Sequence, residues 1–226
     1  MHKASDTLSL RNIDKTLATY VASAEQLGES IASLRGLTLL AALKRDKVRV
    51  GPYPDVTLFE AANRIMTDLV ILYGVRWLLK RAAFPFDTYL VEYGNQNKNG
   101  FDLRANERDA CLIGEAFNVA SSFFQLKKGD MLKKLRTFPA NADFTILMFN
   151  SDAVSPNYDP HPRGKEFFVI VDISTGDARM VPERVPNTTG GRARFARSPS
   201  TGQRKRKAGH PRRAHGKARR ESLQPS

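Results

Sequence analysis

Two acids in the stretch FDLRANERDACLIGEAFNVA (residues 101–120), Asp102 and Glu115, have the types and the spacing to do chemistry together. Positions 101–105 alternate apolar and polar as a strand does, 106–109 supply polar turn residues, and 110–119 turn apolar again. That pattern predicts a hairpin. With the turn centred between Glu107 and Arg108, antiparallel pairing sets Asp102 opposite Ile113 and leaves Glu115 on the same face, about 7 Å away on the diagonal. Glu115 interrupts an otherwise apolar run, and a buried carboxylate is costly unless it meets a cation or hydrogen bonds. Two carboxylates would then share one edge of the sheet, and Glu115 asks for a partner. The alternative is structural: Glu115 pairs with Arg104 or sits at the exposed end of its strand, and the pattern leaves both readings open.

The surrounding elements must position these acids. Positions 8–48 carry apolar residues at helical spacing (Ile13, Leu17, Tyr20, Ala24, Leu27, Ile31), which predicts one or two helices with breaks at Gly28 and Gly36, packed as a cover on the core. The chain turns through Pro52 and Pro54, and Asp55 has the chemistry to cap a long helix over 56–80. That helix is apolar around most of its circumference and is expected to be buried against a sheet. Its narrow polar stripe, Glu60, Arg64, Thr67 and Asp68, reads as i,i+4 ion pairs on the solvated side. Pro85 ends the pattern, and 88–93 reads as a strand leading into the turn GNQNKNG. After the hairpin, Ser121 or Ser122 can cap a helix to Arg136. Lys128 falls inside its apolar face between Phe124 and Leu132, where it either seeks a carboxylate or snorkels to water, while Lys133 points away. A strand over 143–150, a proline-containing loop and a hairpin over 165–181 complete the order.

Composition bounds the rest. The 226 residues suffice for one domain of ordinary size with appendages. Of the net charge of +13, eleven units lie in the last 40 residues, where 12 Lys and Arg face only Glu221. This tail has almost no apolar residues and is expected to be disordered; it would attract phosphate backbones without sequence preference, or be a nonessential extension. The division expected is a helical segment over 1–50, an α/β core over 51–186 and a basic tail over 187–226. Cys111 is the single cysteine, so neither an intramolecular disulfide nor a thiolate metal site is expected. With no apolar leader and no uninterrupted apolar span, a cytoplasmic protein without a membrane partner is expected. P-loop, GxGxxG, GxSxG and HExxH patterns are all missing, and His161 has no His or Cys at ligand spacing, which argues against a zinc site.

The order helix, three strands, helix, strand over about 55–150, with Asp102 near the start of the second strand and Glu115 in GEAFNVA on the third, resembles the PD-(D/E)XK nuclease superfamily. The resemblance implies an α/β (α+β) fold of restriction-endonuclease type, a central mixed sheet flanked by helices, here with an N-terminal helical cover. It implies a metal-dependent endonuclease, of restriction type among others, in which Asp102, Glu115 and the carbonyl of Ala116 hold Mg²⁺ or Mn²⁺. The third position of the family triplet is a lysine, and here it is Phe117. Lys128, or less well Lys127, is the residue that could reach back from the following helix, and Glu60 stands where some members carry a further acid on the first helix. The partner implied is nucleic acid, DNA ahead of RNA, with a homodimer as a candidate assembly. The alternative is a fold of this kind that has lost catalysis and serves as a nucleic-acid-binding or assembly module.

Overall fold

The computed structural model of the protein describes residues 5–94, 100–107, 110–137 and 142–184. In chain order the elements are β1 (Ser5–Leu8), α1 (Ile13–Ala32), α2 (Gly36–Lys44), β2 (Val48–Val50), β3 (Tyr53–Val56), α3 (Leu58–Arg81), β4 (Tyr89–Glu92), β5 (Leu103–Glu107), β6 (Ala110–Phe117), α4 (Phe124–Thr137), β7 (Phe144–Asn150), β8 (Glu166–Asp172) and β9 (Asp177–Val181). Seven strands form one sheet in the order β1-β4-β5-β6-β7-β8-β9, and β2 and β3 form a separate hairpin. The β6–β7 and β7–β8 pairs are parallel and the other pairs in the large sheet are antiparallel. The protein is thus a mixed α/β fold with a central mixed sheet flanked by helices.

The two sides of the sheet are covered for a reason visible in β6, β7 and β8, whose near-continuous apolar sequences suit strands buried on both faces. Leu112, Ala116, Ile146, Met148, Val169 and Val171 point to the α3 side and join its core. Their alternates Ile113, Phe117, Leu147, Phe149, Phe168 and Ile170 pack with Phe124, Leu132 and Leu135 of α4 in a second core on the other face. Helix α3 is the spine of the first core: Ile65, Leu69, Val70, Ile71, Leu72, Val75 and Leu78 are all buried. No helix among the described residues is long and apolar enough to cross a membrane.

Several local expectations change. Helix α1 covers the core as expected, Ile13, Leu17 and Tyr20 sharing it with α3, but the segment is not purely helical, because β1 pairs with β4 as an edge strand. Helix α1 runs through Gly28 without a break, whereas Gly36, at φ +51°, opens α2. The α3 cap is Thr57, not Asp55: the Thr57 hydroxyl accepts from the Glu60 N–H (3.1 Å), and the Glu60 carboxylate accepts from the Thr57 N–H (2.9 Å). Asp55 instead belongs to β3, with a left-handed φ of 57°. The basic segment 187–226 lies outside the described residues, as do 95–99 of the turn after β4 and 108–109 of the β5–β6 turn.

Candidate active site

The hairpin register sets the site. Leu103 pairs with Gly114 and Glu107 with Ala110, so the connection is two residues long and one further step brings Asp102 level with Glu115. The expected register is displaced by two residues. That slip sets the two acids at one level of the hairpin instead of on a diagonal, with Asp102 in the bend just before β5. The Ala116 N–H donates to Asp102 Oδ2 at 2.9 Å, which fixes the orientation of that carboxylate.

Glu115 is 3 % exposed and faces the α4 side. Its cation is Lys134, whose Nζ lies 2.7 Å from Oε1 in an ion pair that falls short of hydrogen-bond geometry. The same ammonium stands 5.6 Å from the centre of the Phe101 ring. Helix α4 is held in place to present it: Leu132 and Leu135 pack in the core, and Arg136 binds Glu166 of β8 through Nε (2.5 Å) and Nη2 (2.8 Å).

Burial pushes Glu115 up to about 7; the charge of Asp102 adds to the rise, and Lys134 opposes it. Asp102 is also raised by burial, with the Ala116 N–H, Lys134 and Lys127 pulling it back and Glu92 adding to the rise. A third acid stands nearby. Asp68 of α3, expected on a solvated stripe, is fully buried; desolvation holds it well above the usual carboxylate range, against the Gly94 N–H that donates to Oδ1 at 3.3 Å and with Asp102 adding to the rise.

Other expected site residues lie elsewhere or act differently. Lys128 does not reach the acids: its Nζ is 3.3 Å from the Tyr158 hydroxyl and lies over the Phe124 and Tyr158 rings at 5.4 and 5.7 Å. The reason is angular. At about 100° per residue, Lys128 sits at the centre of the apolar stripe of α4, over the aromatic core, whereas Lys127 and Lys134, seven residues apart, share one flank, toward the hairpin. Lys127 is half-buried and its field acts on Asp102. Glu60 is removed from the site by its own partners: Lys47 Nζ donates to it at 2.7 Å and it closes the α3 cap, contacts that draw it down to about 2. Ala116 contributes its N–H, as described. Arg104 stacks over Phe101 at 5.3 Å and is not the partner of Glu115.

A cleft of about 340 Å³ opens between α3, the end of β6 and the start of α4; Asp68 and Ala116 line it, and Asp102 and Glu115 do not. Among the described residues no three His, Cys, Asp or Glu side chains are gathered so as to hold a metal ion between them. The donor set nevertheless fits a hard cation that takes one or two carboxylates and keeps several waters. Asp102 and Glu115 are neighbouring oxygen donors, Glu115 Oε1 already holds one cation, the Lys134 ammonium, and the buried Asp68 Oδ2 has no hydrogen-bond partner. No protein-family model, curated protein or solved structure matches the chain.

Proposed function

We propose that the protein is a metal-dependent nuclease with a restriction-endonuclease-like core, hydrolysing phosphodiester bonds of DNA. One observation carries the reading: a buried glutamate on the third strand of an antiparallel meander is paired at 2.7 Å with a lysine from the following helix, and an aspartate in the bend just before the second strand is tied to the next residue of the glutamate's strand through the Ala116 N–H. The run α3-β4-β5-β6-α4-β7 supports it, since it follows the core order of the PD-(D/E)XK superfamily. Lys134, not Lys128, takes the place of the lysine that Phe117 displaces from the triplet. Phe117 itself is committed to the α4 core, stacked on Phe149 with ring centres 5.8 Å apart.

Asp102 and Glu115 would hold Mg²⁺ or Mn²⁺, and the ion when bound supplies a water of lowered pKa and charge stabilisation at the scissile phosphate. The protein groups do the rest. The Ala116 N–H keeps Asp102 aimed at the shared edge. Glu115, near 7 without a cation, must give up its proton to act as a ligand, so cation affinity should rise with pH. Lys134, beside Glu115, would donate to a phosphate oxygen or orient the attacking water; its compact ammonium on a flexible stem suits this better than a guanidinium.

The test is cleavage of plasmid and oligonucleotide substrates by purified protein with Mg²⁺, with Mn²⁺ and with EDTA, beside a folded Glu115→Ala variant. Metal-dependent cleavage lost in the variant is expected. Binding without cleavage by the parent under every metal condition would favour the catalytically inactive, nucleic-acid-binding reading.

A further inference from the structure

The cleft between α3, the end of β6 and the start of α4 has features that hydrolysis alone does not require. Its rim carries two exposed apolar side chains, Phe123 at 62 % and Leu126 at 70 %, on the surface leading into α4. Its basic groups, Arg64 from α3 and Lys127 from α4, stand on opposite sides, and among the described residues neither is held in an ion pair. Arg64 is braced by the Tyr53 ring, 5.6 Å from its guanidinium carbon. Asp68 forms part of the floor with Oδ2 lacking a hydrogen-bond partner, and Asn118 adds an amide to the wall. Asp130, also on the rim, is the one exposed acid of the lining.

A ring to stack on, cations on two sides for phosphates and polar groups deeper in suit a nucleotide whose base has left its stack. The volume of about 340 Å³ lies near the lower end of small-ligand sites, roughly 300 to 1,000 Å³, which suits one nucleotide and not a duplex. We infer that this cleft binds a single unstacked nucleotide, with its base against Phe123 and its phosphates between Arg64 and Lys127, so that the substrate class is single-stranded nucleic acid. This deepens the nuclease reading and rests on it for the position of the reacting phosphate.

The test separates base contact from phosphate attraction, because the basic tail would attract any phosphate chain. Affinities of the full-length protein are measured in EDTA for a thymidine homopolymer, for an abasic strand of the same length and for a blunt duplex. No cleavage is involved, so the outcome does not depend on catalysis. The parent is expected to prefer the thymidine strand over the abasic one by about 5- to 140-fold, the range of one base–aromatic stack. Phe123→Ala should erase that preference while leaving duplex affinity unchanged; its side chain is exposed, so folding is not at risk. A parent without preference, a preference that survives in Phe123→Ala, or an equal loss on strand and duplex overturns the inference. The nuclease reading fails separately, through absent cleavage with Mg²⁺.

Discussion

Glu115→Gln tests the electrostatics of the site in the bare protein. Burial and the neighbouring Asp102 hold Glu115 near 7 against an ordinary 4.5, Lys134 offsetting only part of the rise. Between those pH values the folded protein keeps a proton that the unfolded chain has released, so stability falls as pH rises. The contribution is complete below about 4.5 and is lost as pH rises through about 7. At about 1.4 kcal/mol for each pH unit, the interval corresponds to on the order of 3 kcal/mol. Glutamine has no such titration. Urea unfolding followed by far-UV circular dichroism in EDTA, at pH 4.5, 6 and 8, should therefore show the variant gaining on the parent by on the order of 3 kcal/mol across the series. Mg²⁺ added at pH 8 should then raise the midpoint of the parent and leave that of the variant alone. Parallel profiles, differing by less than about 0.5 kcal/mol across the same range, would refute the argument that Glu115 is a desolvated acid.

Leu69→Ala removes a side chain 4 % exposed at the centre of α3 and should cost about 2 to 5 kcal/mol in urea unfolding. Thr57→Ala should cost about 0.5 to 2 kcal/mol by opening the α3 cap, while Glu60→Gln should leave metal-dependent cleavage at the parental rate. Deleting residues 187–226 takes away 12 Lys and Arg against one acid, and should flatten the salt dependence of DNA binding with little change in the thermal midpoint; unchanged salt dependence would count against the tail as a phosphate-binding segment.

The hairpin was legible because its period-two alternation assigns faces whatever the register, and a slip by two residues left Asp102 and Glu115 together. The long helix was equally readable from its apolar circumference. Its polar stripe was not: Asp68 has the spacing of a surface ion-pair partner of Arg64, and only the sheet edge and Gly94 beside it reveal that it is buried. Strand β1 escaped notice because Ser-Asp-Thr-Leu has neither length nor alternation enough to signal an edge strand. Lys134 was missed for a geometric reason. A lysine at the centre of an apolar stripe suggests a buried partner, but the centre of α4 faces aromatic core, and the hairpin acids lie off its flank. The usable signal was the pair of lysines seven residues apart, Lys127 and Lys134, on the side of the helix turned toward the strands that carry the acids.

The most direct test of the central claim, that Asp102, Glu115 and Lys134 form one hydrolytic site, is single-turnover cleavage of a single-stranded and a duplex substrate at saturating Mg²⁺. Parent, Glu115→Gln, Lys134→Met and Lys128→Met proteins, all first shown to be folded, are compared. Glu115→Gln and Lys134→Met should each slow cleavage by about 100-fold or more, the scale of losing a charge-stabilising group, while Lys128→Met stays within a few-fold of the parent. Cleavage by Lys134→Met at the parental rate, or a loss confined to Lys128→Met, would contradict the account.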